Sequence, residues 1–319
     1  MHILFVIDPL PGLKAWKDSS VAMMRALTAR GHTFSFATMP DLYAHEGQIR
    51  VAATPMQLAA DPDWSGHAWW QQGDQADDCL LADFDAVLMR KDPPFDMEYF
   101  HVTHLFDHAR AQGARVFNSG EAIRNHPEKL SIIEFPEYTT PTLVSREMAR
   151  LRAFHARHGD VIVKPLDGMG GSGVFRLLPH DPNLGAVLEA LTHMGTQNIM
   201  AQRYIPAITQ GDKRILIIDG EPIPYALARM PMAGETRANL AAGGQGVAQP
   251  LSPRDLELAH AVGGRLAQRG LLLIGLDVIG DCITEINVTS PTCFVEITEQ
   301  TGFNVAGRFV EALEHAVSA

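Results

Sequence analysis

The chain has 319 residues, 46% hydrophobic and 20% charged, and its 37 acidic against 26 basic residues give a net charge of −11. With no Lys/Arg cluster, that balance argues against nucleic acid or an anionic membrane as partner and leaves a small-molecule substrate as the expectation. Three widely separated cysteines, Cys79, Cys282 and Cys293, do not suit a disulfide framework or zinc ribbon, and no apolar run approaches the roughly 18 residues of a membrane span.

The first residues, Met1 to Pro9, carry no basic flank and their apolar run is short, so they read as a buried strand and not a signal peptide; a reduced, cytoplasmic setting is expected. Residues 1–125 alternate strand and helix patterns. Ile3–Ile7 is strand-like, Asp18 or Ser19 caps a helix through Arg30 that stops at Gly31, and Phe34–Thr38 is a second strand. The stretch 55–78, rich in Asp, Pro, Gly, Gln and Trp, reads as an excursion outside the sheet. Phe84–Met89 resumes as a strand, Glu98–Gln112 as a helix and Ala114–Asn118 as a strand. This alternation predicts an open, mostly parallel α/β sheet, and the absence of an early GxGxxG excludes a plain dinucleotide-binding domain.

From about Glu128 the pattern becomes antiparallel α+β. Asp160–Lys164 and Val174–Leu178 are strands joined by a glycine-rich loop, and Asn183–His193 is a helix. Asn198–Tyr204, Arg214–Asp219 and Ile223–Ala228 are strands, the last two joined at Asp219-Gly220. Met232–Gln249 has the composition of a long mobile loop; Pro253–Arg269 is a helix, Leu271–Val288 a hairpin and Phe303–Val317 a terminal helix. The expected division is an N-terminal α/β domain, 1–125, and a second domain, 126–319, holding a glycine-hairpin lid at about 140–205 and a core at about 206–319.

Two constellations carry chemistry. Between Lys164 and Gly173 the loop holds four glycines in six residues, which lets backbone N–H groups approach phosphate oxygens; no Gly-Lys-Ser/Thr follows, so it is not a Walker loop. A plain flexible hairpin has the same composition. The second is Asp277, Glu285 and Asn287. Glu285 and Asn287 lie two apart and share a strand face, and a three-residue loop Gly280-Asp281-Cys282 puts Asp277 across from Glu285. Two carboxylates and a carboxamide are hard oxygen ligands that suit Mg²⁺. The alternative is a solvated hairpin face. Lys129, Lys164, Arg214, Arg229 and Arg237 are the cations able to cradle a triphosphate, with the small residues around Arg237 suited to a closing lid. In the first half, Arg90 follows a strand and is the candidate for bidentate binding of a substrate carboxylate. Ser19, in the stretch Lys17-Asp-Ser-Ser20, lies at the same crevice, although helix capping explains that stretch as well. His101, His104, His108, His155 and His158 form no metal or triad pattern.

These residues resemble the ATP-grasp fold and, within it, the prokaryotic glutathione synthetase family. The specific stretches are Lys17–Ser20, Met89-Arg-Lys-Asp-Pro-Pro-Phe-Asp96, Lys164–Gly171, Gly211–Arg214, Gly234–Arg237 with Asn239–Gly244, and Thr284-Glu-Ile-Asn-Val-Thr-Ser-Pro-Thr-Cys293. The resemblance implies a ligase that joins γ-glutamylcysteine to glycine through an acyl phosphate, with ATP converted to ADP and phosphate. It implies Asp277, Glu285 and Asn287 as Mg²⁺ ligands, with Mn²⁺ as the alternative ion. Lys129 and Lys164 would bind phosphate under Gly170, Gly171, Ser172 and Gly173. Gln202, Tyr204 and Ile205 would line the adenine, Asp212 would lie near the ribose, and Arg229 would join the ATP site. Arg214 and Arg237 would hold the transferring group, and Thr289, Ser290 and Thr292 would lie near the reacting dipeptide. The family is typically homotetrameric. Two positions depart from its pattern: Val295 stands where an arginine is usual, and Arg203 where relatives carry asparagine. The remaining alternatives are an ATP-grasp ligase for a different acid and amine, or a non-catalytic ATP-binding module.

Overall fold

The computed structural model describes residues 1–232 and 245–319. Its first half is built on β1 (His2–Val6), α1 (Ser19–Ala29), β2 (Thr33–Ala37), β3 (Leu42–His45), β4 (Gln48–Leu58), β5 (Trp70–Gln72), β6 (Ala76–Leu80), β7 (Ala86–Met89), α2 (Met97–Ala111), β8 (Val116–Phe117) and α3 (Gly120–Asn125). The sheet order is β3-β4-β2-β1-β7-β8, and β2, β1, β7 and β8 run parallel, as the alternating pattern predicts. The central strands are apolar runs because helices cover both their faces. Asp18 is the residue that caps α1, accepting from the N–H groups of Ser20 and Val21.

The stretch 55–78 departs from expectation. Only residues 59–69 loop out of the sheet: β4 is a strand of 11 residues ending at Leu58, and β5 and β6 fold back to pair with it antiparallel. Ile49, Val51 and Ala53 alternate inward, which fixes the strand even though its residues are mostly Ala, Thr, Pro and Gln.

The second half contributes β9 (Thr142–Ser145), α4 (Met148–His158), β10 (Val161–Pro165), β11 (Phe175–Leu177), α5 (Leu184–Leu191) and β12 (Ile199–Arg203), then β13 (Asp212–Ile218), β14 (Glu221–Met230), β15 (Gln245–Pro250), α6 (Pro253–Ala267), β16 (Leu273–Ile279), β17 (Cys282–Asn287), α7 (Phe294–Thr301) and α8 (Val305–Ser318). Two antiparallel sheets result, ordered β11-β10-β12-β9 and β15-β14-β13-β16-β17. The expected loop 232–249 is corrected at its end: Gln245–Pro250 is an edge strand on β14, held by backbone pairing that its composition does not announce. α6 starts on a capping box in which Ser252 and Asp255 satisfy each other's N–H groups. It approaches the β13–β14 turn closely at Gly263, where an added Cβ would lie 2.6 Å from the carbonyl oxygen of Gly220.

The halves share a core. Ile3, Phe5, Met23 and Leu27 pack in one cluster with Leu216, Phe294, Ile297, Phe309 and Leu313, so α7 and α8 lie against α1. Asn118 ties the seam: its Nδ2 donates to the carbonyls of Leu273 and Val288 at 2.8 Å each, and its Oδ1 accepts from Leu273 N. Among the described residues no helix is long and apolar enough to cross a membrane.

Candidate active site

The β16–β17 hairpin sets the site. Its turn has two residues, Gly280 at φ +58° and Asp281, and not the three expected. Taken alone, a two-residue turn would pair Asp277 with Thr284. A bulge at Thr284 adds the missing residue, so Asp277 does pair with Glu285. The bulge lets Ile283 and Ile286, three apart, both face the core, while Thr284 and Glu285 both reach the adjoining cavity. Asn287 follows opposite Gly275 and donates to its carbonyl at 3.2 Å.

The acids on this hairpin do not stand alone. Asp277 is buried, and both its oxygens are bound: Arg214 reaches it from β13 through Nε and Nη2, and Arg229 from β14 at 2.9 Å. Burial alone would raise its pKa, but the two guanidinium groups outweigh that and hold it well below the carboxylate range. Arg229 also binds Asp212 at 2.6 Å, while Asp212 Oδ1 is buried without a partner among the described residues. Burial, only partly offset by Arg229, pushes the Asp212 carboxyl up to about 7. Lys129 pairs with Glu285 at 3.0 Å and donates to Gly168 O. Lys164 donates to Thr284 O at 3.2 Å, and burial lowers its pKa.

Two cavities meet here. The first, about 130 Å³, lies between the glycine loop and β12; it is lined by Lys129, Lys164, Gly170, Gly171, Ser172 and the run Gln202–Ile205, with Asp212 and Glu285 at its polar end. Ile162, Val174, Ile208 and Ile279 give it apolar walls suited to a flat ring. Gly170, Gly171 and Gly173 all have positive φ, the backbone freedom this loop requires. Gly173 itself is not among the lining residues, and Arg203, the departure from the family pattern, is. On the outer side Arg176 stacks on Tyr204 at 3.6 Å from its ring centroid while binding Asp160.

The second cavity, about 450 Å³, shares Met169, Gly170 and Glu285 with the first and opens toward the N-terminal sheet. Arg214, Arg229, Asn287, Thr289, Ser290, Thr292 and Cys293 line one side; Lys14, Lys17, Asp18 and Asp92 line the other. Two of the expected substrate contacts have partners within the protein. Arg90 sits behind this cleft: its Nε donates to Ser20 Oγ at 2.9 Å and its Nη2 to Pro291 O at 3.0 Å, so it braces the wall instead of facing a substrate. Ser19 is buried too, and its Oγ accepts from Phe294 N, capping α7 from across the seam. Arg237 lies outside the described residues. Val295 borders a separate surface cavity with Ala22, Arg25 and Ala306 and does not line the cleft.

Sequence reasoning missed Lys14, Asp92 and Glu128. Lys14 stands in irregular chain with no periodic signal, Asp92 lies within the stretch 89–96 beside Arg90, and Glu128 falls at the change of pattern with no motif to mark it. Among the described residues, Glu128, Asp212 and Glu285 line the junction of the cavities with Lys129, Lys164, Arg214 and Arg229, Lys14 and Lys17 stand across the cleft, and Asp277 lies behind, bound to both arginines. A triphosphate would add negative charge beside the carboxylates of this lining. Glu285, Asn287 and the unpartnered Asp212 Oδ1 are hard oxygen donors that suit a divalent cation of the Mg²⁺ class, whereas both oxygens of Asp277 are already held by Arg214 and Arg229.

Comparison with known proteins agrees with this arrangement. Residues 1–124 match the family model for the prokaryotic glutathione synthetase N-terminal domain, and residues 128–302 match that for the prokaryotic glutathione synthetase ATP-grasp domain. The chain is 69% identical over 316 residues to a glutathione synthetase of Bordetella parapertussis, with 99% of each chain covered. It is 58% identical to that of Ralstonia nicotianae, covering 99% of this chain and 96% of the relative. In fold it is similar to the ATP-grasp ligase PsnB complexed with minimal precursor, Mg and ADP, at a TM-score of 0.63 and 17% identity, covering 100% and 98% of the two chains.

Proposed function

Since the chain belongs to the prokaryotic glutathione synthetase family and is an ATP-dependent ligase that forms glutathione, we propose how its residues divide that work. The observation that carries the reading is the meeting of an apolar-walled pocket under a glycine loop with a larger polar cleft, at Glu285 and its partner Lys129. ATP occupies the first, its base between Ile162 and the run Gln202–Ile205, and its phosphates under Gly170, Gly171, Ser172 and Gly173 beside Lys129 and Lys164. Asp212 lies at the pocket's polar end, between the nucleotide and Arg229.

γ-Glutamylcysteine occupies the second cleft, with Thr289, Ser290 and Thr292 along one wall and Lys14 and Lys17 along the other. Its cysteinyl carboxylate attacks the γ-phosphorus, the bond to the bridging oxygen breaks, and ADP leaves. The glycine amine, having lost a proton, attacks the carbonyl carbon of the acyl phosphate, and phosphate departs as the C–O bond breaks. Arg214 and Arg229 stabilise the negative charge that develops, because they are fixed in place by Asp277 and Asp212 before substrate arrives. Arg237 is the further candidate for that task. Asp277, Glu285 and Asn287 would hold Mg²⁺, with Mn²⁺ as the alternative; the ion would neutralise triphosphate charge and polarise the transferring group. Water exclusion by the glycine loop protects the acyl phosphate from hydrolysis.

The division into residues 1–125 and 126–319, a cytoplasmic setting and a homotetramer belong to the same reading; light scattering on the purified protein tests the last. The test of the site is Glu285→Gln, assayed by phosphate release with γ-glutamylcysteine, glycine and ATP. Turnover should fall at least ~100-fold while the far-UV spectrum and melting profile survive. Near-normal turnover would refute the metal assignment. Metal titration of the wild type, Mg²⁺ against Mn²⁺, identifies the working ion.

A further inference from the structure

Glu128 lies just after α3, where the chain passes from the first sheet to the hairpin. Its backbone carbonyl accepts from Ile286 N at 2.9 Å. Its carboxylate oxygen Oε1 accepts from Val288 N at 3.0 Å, Thr289 N at 3.1 Å and Thr289 Oγ1 at 2.7 Å. These four bonds straddle Asn287. On one side β17 is paired with β16; on its other side Glu128 supplies, with one residue, the acceptors that a neighbouring strand would have supplied. The next residue, Lys129, pairs with Glu285. Residues 128 and 129 together therefore fix the strand end that presents Glu285, Asn287, Thr289 and Ser290 to the larger cleft. Glu128 lines that cleft and is not among the residues lining the nucleotide pocket.

We propose that Glu128 is a positioning residue for the ligation, holding the 288–290 segment in register with the cleft through hydrogen bonds to Oε1. The proposal rests on the assignment of that cleft to the dipeptide. It separates two effects that a general loss of structure would move together. Removing the acceptor frees the cleft wall at 288–290 but leaves the glycine loop, β12 and both phosphate-facing lysines in place, and Asn287 stays held by its pairing with Gly275 and by the backbone bond from Ile286 N to the Glu128 carbonyl. Affinity for ATP should therefore hold while use of the dipeptide fails. The chemistry of the clamp also requires an acceptor oxygen and not a charge, so an amide in its place should largely restore function.

Steady-state kinetics on the full-length protein test this. Glu128→Ala should lower kcat/KM for γ-glutamylcysteine by ~100-fold, the scale of a misplaced reacting group, with the dissociation constant for ATP within about 3-fold of wild type. Glu128→Gln, which keeps an acceptor oxygen at the same reach, should stay within about 5-fold of wild type in both. Glu128→Asp keeps the charge but is one methylene short, so it should fall well below Gln. The proposal is overturned if Gln is as impaired as Ala, if Asp matches wild type, or if ATP affinity falls in step with dipeptide use. Should Ala not fold, the order of Gln above Asp still decides it. Failure of the wild type to turn over γ-glutamylcysteine and glycine would instead sink the assignment of the cleft.

Discussion

Arg229 shows how few side chains hold this site. One guanidinium group binds Asp212 at 2.6 Å and Asp277 at 2.9 Å; Arg229 and Asp277 are buried, and Asp212 borders the first cavity. Removing it in Arg229→Ala leaves two carboxylates facing each other with Arg214 as their remaining close cation among the described residues. Breaking a buried pair in this way costs about 3–5 kcal/mol, so the variant should melt several degrees below wild type. Arg229→Lys should recover part of this, since one nitrogen, Nη2, holds both acids and the Nε bond to the Asp212 carbonyl is what an ammonium cannot replace. A melting temperature unchanged in Arg229→Ala would mean that the network is not closed as described. At this scale the sequence announced the residue types but not their bonds. Asp277 was legible as an acid near a core; that two arginines from two different strands converge on it depends on the β13–β14 and β13–β16 registers.

Among the elements, the hairpin and α8 make the contrast clearest. The pairing of Asp277 with Glu285 was expected from an odd-length loop, and it arises from an even-length turn plus a bulge. A signal for the bulge is present in the sequence, in the three-residue spacing of Ile283 and Ile286 followed by the two-residue spacing to Val288. α8 is anchored to the start of the chain by Glu314, which accepts from Arg30 at 2.6 Å and 3.0 Å and lies 2.7 Å from His32 Nε2. The hydrogen bond from Arg30, with that from His32, lowers the Glu314 carboxyl from 4.5 to about 2. A depressed carboxylate pKa contributes stability that is fully present above about 4.5 and is lost as pH falls toward 2. Part exposure reduces the contribution to about 1 kcal/mol. Glu314→Gln should therefore melt slightly lower than wild type at pH 7, and the gap should shrink in scans below pH 4.5. A gap that widened on acidification would reverse the sign of the argument.

For the whole molecule, the charges around the site predict how ligands act on stability. ATP alone brings about four negative charges to this lining, whereas ATP with Mg²⁺ brings about two, so the repulsion from Glu128, Asp212 and Glu285 is smaller with the ion present. ATP and Mg²⁺ at 100 times the dissociation constant should stabilise the fold by about 2.7 kcal/mol, read as a rise in melting temperature. The same ATP concentration with a chelator should give less than half that rise. Equal shifts in the two conditions would remove the electrostatic basis for a divalent ion here. Because α7 and α8 share one core with α1, the stabilisation should extend to both halves and appear as one shifted transition.

The sequence by itself determined the parallel first sheet, the antiparallel second half, the glycine hairpin and the types of residue at the site. Each of these is written in local periodicity, turn chemistry or a short motif, which are properties of neighbouring residues. Tertiary structure decided which of those residues face a substrate. Arg90 and Ser19 follow a strand end and a helix start as their motifs suggested, yet packing of α7 and the 288–292 segment against them turned both into braces. Glu128 gained its four bonds in the same way, from a strand more than 150 residues away in sequence. The β4–β6 edge and β15 were also invisible beforehand, because an edge strand is defined by the partner it pairs with more than by its own composition. What a polar side chain does in a protein is fixed by which donors and acceptors arrive beside it, and that is set only when distant elements pack.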